Sequence, residues 1–312
     1  MCYINNPPKD SAQLKSELSA EQWILLGKEA VDNGMLFLLL TGGEPLLHPG
    51  FFQILEGLKP LGILLILFTN GTLITKEVAK RIAQSPPYRI EITLYGATEK
   101  TYEAVTRIPG SYAQCLAGIE ALLEQRLPLL LKTTITRQNV GELEAMRQLA
   151  HSFGVPFIGS WLLTERRDGA PSEVKDCRLS ARECVMLEAT DQISATEWQE
   201  AVLRGEKNSE ENFYCLAGKS TFVITPSGEM NICIDLPFPS AKPLEIGFKS
   251  AWEEVQKFVD TAPPLSPICQ ACEDRIFCPR CPAWSYLENG TLTEPVPYLC
   301  EIAKERRKIY AP

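Results

Sequence analysis

The sequence predicts an α/β fold in which a parallel sheet with crossover helices precedes a small cysteine-rich domain. Two observations carry this prediction. Short apolar runs alternate with amphipathic helical segments through the first half of the 312-residue chain, which is the pattern of strands covered by helices. Seven of the eleven cysteines then lie in the last third, where prolines and short turns replace the alternation.

The chain starts with a helix rather than with a strand. Ser19 and Gln22 form a capping box, and the helix that they begin should end near Asn33, with Gly34 after it. An α/β unit normally begins with a strand. This order therefore predicts that the first strand of the sheet is absent from the chain.

Five apolar runs follow and predict the strands of the sheet. Two of them, MLFLLL at 35–40 and LGILLILF at 61–68, are far shorter than the roughly 18 apolar residues of a membrane span, so they indicate buried strands. Asn139 and Glu142 predict a capping box for the last helix before the fifth strand. The predicted strands are 35–40, 62–68, 89–95, 128–134 and 155–162, and the helices between them are 50–59, 75–84, 98–126 and 140–153.

The second half of the chain changes character. A polar connection leads into a helix whose capping box is Ser180 and Glu183 and which should end near Arg204. Beyond it come a hairpin in FVITPSGEMNIC and a short helix near 250–258. The two predicted domains are residues 1–205 and 206–312.

The overall charge limits the kinds of partner. A formal net charge of −8 argues against nucleic acid or an anionic membrane as the main partner, because both attract a basic face. No basic segment with an apolar core precedes a cleavage site, so secretion has no support and a cytoplasmic location is predicted. In a reducing compartment, this density of cysteines indicates metal ligands rather than disulfides.

The cysteines of the last third are the strongest chemical signal. Two pairs separated by two residues, Cys269 with Cys272 and Cys278 with Cys281, can place both sulfurs on one ion or cluster. Thiolates suit zinc as well as iron–sulfur clusters, so both stay open, beside the weaker alternative of buried thiols without metal. The other members of the array are Cys215, Cys233 and Cys300.

A second signal is the turn TGGEP, which follows the first predicted strand. Gly42 and Gly43 let backbone groups approach a ligand closely. Glu44 adds a carboxylate that can meet a ligand cation, and Pro45 stiffens the turn. The carboxyl ends of parallel strands are where such sheets bind ligands. A simple strand-to-helix turn explains the same residues about equally well.

Together these motifs resemble a radical S-adenosylmethionine (SAM) enzyme with a C-terminal SPASM domain. The resemblance rests on TGGEP, on TNG at 69–71, on ITLYGATEKTYEAVT at 92–106 and on the seven-cysteine tail, and it covers nearly the whole chain. It implies a partial (β/α)6 TIM-like barrel, here without its first strand. It also implies an enzyme that cleaves SAM reductively to a radical, which abstracts hydrogen from the substrate.

The resemblance also assigns residues to the cofactors. Six residues match positions that bind SAM, and these are Gly42, Gly43, Glu44, Pro45, Asn70 and Thr93. Seven cysteines match two auxiliary [4Fe–4S] sites, with Cys215, Cys233 and Cys281 in the first and Cys269, Cys272, Cys278 and Cys300 in the second. The first set has no fourth cysteine, so its last iron is expected to be open or to carry another ligand.

The start of the chain matches the end of a third cluster motif. Cys2 and Tyr3 resemble the last cysteine and the following aromatic residue of the Cys-x3-Cys-x2-Cys loop that holds the radical SAM cluster. The partner cysteines would stand three and seven residues before Cys2. Because one cysteine cannot hold a [4Fe–4S] cluster, we expect a truncation within this motif and a chain that is inactive alone.

The expected function is that of a radical SAM oxidoreductase acting on a peptide or protein, because SPASM members often mature peptides. The expected second partner is a reducing electron donor such as a flavodoxin or a ferredoxin. A truncated, non-catalytic iron–sulfur binding or electron-transfer protein is the first alternative, and a zinc-stabilised α/β scaffold is the second. Metal analysis after anaerobic reconstitution distinguishes iron from zinc.

Overall fold

The computed structural model describes residues 17–167, 174–204 and 211–311. The described residues fall into two compact units. The first contains 17–161 together with 226–228, and the second contains the described residues of 162–225 and 229–311.

The first unit is built on one parallel sheet. Its five strands are hydrogen-bonded in chain order, and at least one helix connects each strand to the next, which confirms the predicted parallel α/β sheet. The strands are β1 (Phe37–Leu40), β2 (Leu64–Thr69), β3 (Arg89–Thr93), β4 (Leu129–Thr134) and β5 (Phe157–Ser160). The helices are α1 (Ala20–Asp32), α2 (Phe51–Leu58), α3 (Lys76–Gln84), α4 (Glu99–Thr106), α5 (Ser111–Glu124) and α6 (Leu143–Ser152).

The core of this unit lies between the sheet and its helices. Leu67 on β2, Ile92 on β3 and Leu131 on β4 are fully buried on the face that the helices cover. Because side chains alternate between the two faces of a strand, Thr93 and Lys132 point to the opposite face. That opposite face carries the polar side chains of the candidate site.

The second unit is mostly helical and contains the cysteine array. The predicted hairpin is confirmed as an antiparallel pair, β6 (Val223–Ile224) with β7 (Met230–Asn231). Within the described residues no helix is both long and apolar enough to cross a membrane. The helices are α7 (Val174–Cys177), α8 (Ala181–Thr190), α9 (Gln192–Arg204), α10 (Pro243–Ile246), α11 (Phe248–Asp260), α12 (Pro267–Gln270), α13 (Pro282–Asn289) and α14 (Pro297–Tyr310).

Two predicted helices are each divided in the structure. The stretch 98–126 forms α4 and α5, because Arg107 and Gly110 between them take left-handed φ angles of 58° and 77°. The helix predicted after Ser180 is α8 followed by α9, divided at Asp191, whose backbone is extended. The capping boxes at Ser19 and Ser180, by contrast, are confirmed.

The sequence pattern predicts only loops where α13 and α14 form. Pro282 and Pro297 are the first helical residues of these two helices, a position where proline's missing N–H is not needed. The long continuous segment of the first compact unit ends at Trp161. The boundary between the two predicted domains, placed between residues 205 and 206, stays a prediction. Cys2 and Tyr3 lie outside the described residues.

Candidate functional site

The predicted glycine turn lies at the carboxyl end of β1, on the rim of the sheet. Gly42 has a φ of 146°, which residues with a Cβ rarely adopt. An added Cβ at Gly42 or Gly43 would meet no described atom within 4 Å, so the turn favours glycine at position 42 for its backbone conformation. Gly43 is exposed, and its backbone is open to a ligand.

The carboxylate of Glu44 folds back into the rim. Its Oε1 accepts hydrogen bonds from Thr69 Oγ1 at 2.8 Å and from the Leu46 N–H at 3.3 Å. Its Oε2 accepts one from the Asn70 N–H at 2.8 Å. Burial raises the pKa of Glu44, and these hydrogen bonds oppose the rise. Glu44 therefore joins the loop after β1 to the end of β2.

Asn70 shapes the turn that follows β2. Its Oδ1 accepts hydrogen bonds from the Thr72 N–H at 2.9 Å and from Thr72 Oγ1 at 2.6 Å. Gly71 has a φ of 78°, and its N–H donates to Thr69 Oγ1 at 3.1 Å. Two of the predicted SAM-binding residues, Glu44 and Asn70, are thus brought into direct contact.

A cavity of about 240 Å³ opens on the face of the sheet that faces away from the helices. Thr93 is the predicted site residue that lines it, and Lys132 is its partner in the register of β3 and β4. Hydroxyl groups and one ammonium group give the cavity a polar lining that suits a ligand with hydrogen-bond acceptors. The other lining residues are Thr133, Thr134, Ile158 and Ser160.

Lys132 is held by charge and by an aromatic ring. Its Nζ lies 3.2 Å from Glu91 Oε2 and 2.7 Å from the centroid of the Phe68 ring. Glu91 also pairs with Arg89 at 2.7 Å, so two cations share one carboxylate. Burial lowers the pKa of Lys132 to about 8, although the charge of Glu91 opposes the shift. An anionic group in this cavity would meet the ammonium group of Lys132, which lines it.

Asn139 ties the ends of β3 and β4 together, a role that sequence reasoning missed. The capping box predicted from Asn139 and Glu142 is wrong, because the Asn139 side chain caps no helix. It is fully buried, and its Nδ2 donates to the carbonyl oxygens of Tyr95 at 3.1 Å and Thr134 at 3.0 Å. Its Oδ1 accepts a hydrogen bond from the Thr136 N–H at 2.8 Å.

Glu142 caps α4 instead of its own helix. Its Oε2 accepts hydrogen bonds from the N–H groups of Ala97 at 2.7 Å and Thr98 at 3.1 Å. Its Oε1 accepts from the hydroxyl groups of Thr98 at 2.7 Å and Thr101 at 2.5 Å. A carboxylate is favourable at a helix N-terminus. The only feature of the sequence that pointed to a role for Asn139 and Glu142 at this edge of the sheet was their position shortly after the carboxyl end of a predicted strand.

Four cysteines of the array lie close together in the second unit. Burial raises the pKa of Cys278 to about 12, and the thiols of Cys300 and Cys269 add to the rise. Burial also raises the pKa of Cys300, and Cys269 and Cys272 add to that rise. A negative charge on one of these four thiols therefore raises the pKa of its neighbours. The resemblance assigns the same four cysteines to one cluster.

The remaining three cysteines form another neighbourhood. Burial raises the pKa of Cys281 to about 12, and Cys233 adds to the rise. Burial raises the pKa of Cys233 too, and Cys215 is among the groups that raise it further. Cys281 also lines one cavity with Cys269, Cys278 and Cys300, so the structure does not divide the array into two separate groups.

Several sulfurs of the array accept hydrogen bonds from backbone N–H groups. Such bonds favour the thiolate, which is the form that ligates iron. The donor type and these hydrogen bonds therefore fit an iron–sulfur cluster. Cys233 accepts from Asp235 and Leu236, Cys278 from Arg280, and Cys281 from Trp284 and Ala283.

The ligand sets stay predictions. Within the described part of the chain, no group of three or more Cys, His, Asp or Glu side chains is arranged to hold a metal ion. Cys115, outside the array, is fully buried in α5, where burial raises its pKa to about 11.

Known proteins share both the sequence pattern and the fold. Residues 2–150 match the model of the radical SAM superfamily. The AdoMet-dependent heme synthase of Methanosarcina barkeri is 26% identical over 292 residues, which are 86% of this chain and 84% of that protein. The PqqA peptide cyclase of Rhizobium meliloti is 26% identical over 316 residues, 94% of this chain and 82% of that protein. Streptococcus suis SuiB bound to precursor peptide SuiA has the same fold, with a TM-score of 0.73 at 16% identity over 96% of this chain and 72% of that one.

Proposed function

We propose that the chain, of which residues 2–150 match the model of the radical SAM superfamily, is an enzyme of that superfamily that abstracts hydrogen from a peptide or protein in order to mature it. SAM and [4Fe–4S] clusters are the cofactors of this superfamily. When bound, a reduced cluster supplies the electron that cleaves SAM to a 5′-deoxyadenosyl radical. The residues of this chain bind and orient SAM, hold the clusters and receive the substrate.

The SAM site is proposed to lie on the rim formed by the ends of β1, β2 and β3. The half-buried backbone at Gly42 and the exposed backbone at Gly43 suit the methionyl ammonium group, which needs acceptors. Glu44 holds this turn against Asn70. The Thr93 hydroxyl, in the wall of the cavity, would meet the ribose or the carboxylate. Pro45 begins the short helical turn that follows and so limits the freedom of the loop.

The clusters are proposed to be bound by cysteine thiolates. Cys2 is proposed as a ligand of the radical SAM cluster. The two neighbourhoods of thiols in the second unit would hold the two auxiliary clusters, and the N–H hydrogen bonds to their sulfurs would stabilise the bound thiolates. A flavodoxin or ferredoxin in the cytoplasm is proposed as the electron donor.

One observation carries the proposal. Cys269, Cys278, Cys281 and Cys300 line one cavity of the second unit, and Cys233 acts electrostatically on Cys281, so cysteines expected to ligate clusters lie in one region. A peptide is favoured as the substrate because the PqqA peptide cyclase matches 94% of this chain and because the SuiB structure contains a precursor peptide.

The experiment follows deuterium from the substrate into 5′-deoxyadenosine. Protein is reconstituted anaerobically with iron and sulfide, reduced with dithionite, and mixed with SAM and a pool of deuterated peptides. The 312-residue chain is compared with the same chain carrying cysteines three and seven residues before Cys2. We expect deuterated 5′-deoxyadenosine from the extended protein and none from its Cys2→Ala variant, which is the matched control.

Other outcomes assign other functions. If 5′-deoxyadenosine gained deuterium from a pool of deuterated porphyrins but not from the peptides, the proposed substrate would be a haem precursor instead of a peptide. This outcome would be in line with the heme synthase relative. Bound iron with no SAM cleavage by the extended protein would favour an electron-transfer protein. Zinc without iron would overturn the proposal altogether.

A further inference from the structure

The cavity on the open face of the sheet extends away from the predicted SAM rim. The residues assigned to SAM follow β1 and β2 and end with Thr93, the last residue of β3. Apart from Thr93, every residue that lines the cavity belongs to β4 or β5. Because the five strands lie side by side in chain order, the cavity shares Thr93 with the SAM rim and continues beyond it. It therefore has a place for a second ligand beside SAM.

A row of three side chains crosses the cavity on three neighbouring strands. The register of the sheet pairs Thr93 with Lys132 and Lys132 with Ile158, so a hydroxyl, an ammonium group and an apolar side chain lie next to one another. The Ile158 side chain is 55% exposed, and Thr134 and Ser160 form the next row with two more hydroxyl groups. This lining suits an anionic head group that is attached to a short apolar stem.

The ammonium group of Lys132 has donor capacity for a ligand. It carries three N–H groups, and within the described residues it donates to Glu91 Oε2 at 3.2 Å and lies over the Phe68 ring. Glu91 Oε1 also accepts a hydrogen bond from Arg89 Nε at 2.8 Å, so Glu91 serves two cations. No second carboxylate of the described residues pairs with Lys132, whose side chain is 22% exposed. A carboxylate that entered the cavity would accept a charge-assisted hydrogen bond.

We propose that Lys132 binds a carboxylate of the peptide substrate, either that of an acidic side chain or the C-terminal one. The inference rests on the proposed function, in which the substrate is a peptide. Ile158 would contact the carbon stem of that group, and Ser160 lies where its hydroxyl can donate a further hydrogen bond. A carboxylate fixed beside Thr93 limits which C–H bonds of the peptide can face SAM, so Lys132 would select both the substrate and the site of abstraction.

The test measures how tightly the chain binds short peptides of defined charge in the presence of SAM. One pair is acetyl-Gly-Glu-Gly-amide with acetyl-Gly-Gln-Gly-amide, and the other is acetyl-Gly-Gly-Gly with its C-terminal amide. Isothermal titration calorimetry compares wild type, Lys132→Met and Lys132→Arg. Lys76→Met, which makes the same change in an exposed ion pair with Glu124, is the matched control.

Wild type and Lys76→Met should bind the charged member of one pair about tenfold more tightly than its amide. The pair that shows this preference identifies the carboxylate as side-chain or C-terminal. Lys132→Arg should keep most of the preference, and Lys132→Met should lose it. If circular dichroism shows that Lys132→Met is unfolded, Lys132→Gln, which keeps a donor for Glu91, takes its place. Equal or absent binding of both members by wild type would overturn the proposal, as would an unchanged preference in the neutral variant.

Equilibrium dialysis with SAM distinguishes the peptide carboxylate from the carboxylate of SAM itself. Lys132→Met should keep the SAM affinity of wild type. A tenfold weaker binding of SAM, with the peptide preference unchanged, would assign Lys132 to SAM and overturn the proposal. Because peptide binding needs no cleavage of SAM, a failure of the proposed function would appear separately, as absent deuterated 5′-deoxyadenosine with the peptide preference still present.

Discussion

The carboxylate of Glu44 accepts a 2.8 Å hydrogen bond from the backbone N–H of Asn70, which joins the loop after β1 to the end of β2. Two residues that the sequence assigns separately to the SAM site are therefore parts of one rigid rim. A ligand on this rim would meet backbone groups whose positions depend on Glu44, although the Glu44 carboxylate itself is already occupied.

Replacing Glu44 with glutamine should loosen this rim. The amide turns one of the two acceptors into a donor, which then faces either the Asn70 N–H or the donors of Thr69 and Leu46. We expect Glu44→Gln to lower the free energy of unfolding by about 1–3 kcal/mol and to weaken SAM binding. Urea unfolding and equilibrium dialysis measure the two effects.

The control for this variant makes the same chemical change at an exposed position. Glu124 forms an exposed ion pair with Lys76, so Glu124→Gln should change stability by no more than about 0.5 kcal/mol. Equal losses in Glu44→Gln and Glu124→Gln would contradict the role given to Glu44.

The cap that Glu142 places on α4 should appear as a pH dependence of stability. Burial alone would raise the pKa of Glu142, but hydrogen bonds from Thr101, Thr98 and Ala97 hold it below its ordinary value of 4.5. A carboxyl group whose pKa is lower in the folded state stabilises the fold above its ordinary pKa and loses that effect as the pH falls through the folded pKa.

Glu142→Gln should therefore flatten the acid side of the stability curve. Below about pH 4.5, the unfolding free energy of wild type should fall more steeply than that of the variant. Urea titrations between pH 3 and pH 7 measure both slopes. Glu144→Gln, on the exposed side of α6, should keep the wild-type slope, and a flattened slope in that variant would count against the cap.

The contrast between Glu142 and the confirmed capping boxes shows what the sequence can predict. The side chains of Ser19 and Ser180 form hydrogen bonds with residues three positions away, so their partners can be identified from the local sequence. Asn139 and Glu142 have similar spacing, but Asn139 also bonds to Tyr95 and Glu142 bonds to Thr98, and both of these partners are more than forty positions away. A tertiary contact has replaced the local one, and only the folded sheet brings these groups together.

The same limit applies to the rest of the candidate site. The strands were predictable because buried parallel strands are apolar runs. The ion pair of Lys132 with Glu91 depends on the register of β4 against β3, which no local pattern fixes. The cysteines were recognisable by their spacing.

Iron content should follow the two cysteine neighbourhoods. Cys278→Ala should lose about four irons, and adding Cys300→Ala should lose no more, because both cysteines serve one cluster. Cys278→Ala combined with Cys233→Ala should lose about eight irons, because the two cysteines belong to different sets. Iron and sulfide analysis after anaerobic reconstitution measures these losses.

Cys115 provides the control for these losses. It is fully buried in α5 outside the array, so Cys115→Ala should keep all of the iron. If Cys278→Ala combined with Cys300→Ala lost twice the iron of Cys278→Ala alone, the assignment of both cysteines to one cluster would be wrong.

Among the described residues of the second unit, the most deeply buried ion pair joins Arg306 on α14 to Glu188 on α8. Arg306 Nη2 lies 2.7 Å from Glu188 Oε2, and both side chains are at most 3% exposed. Arg306 also donates to the carbonyl oxygen of Phe277 at 3.2 Å and lies 3.7 Å from the centroid of the Trp198 ring. The pair therefore holds the helix that contains Cys300 against a helix that precedes the array.

Replacing one residue of the Arg306–Glu188 pair should lower the free energy of unfolding more than replacing both residues. Arg306→Met leaves the buried Glu188 charge without its guanidinium partner, so we expect a loss of about 3–5 kcal/mol in the free energy of unfolding. In Arg306→Met/Glu188→Leu no charge is left, and the double variant should regain most of that loss, short of the hydrogen bond to Phe277. Urea unfolding of wild type, Arg306→Met, Glu188→Leu and the double variant completes the cycle. A double variant as unstable as the sum of its single changes would mean that the two side chains stabilise the unit independently, through packing rather than through their charge pair.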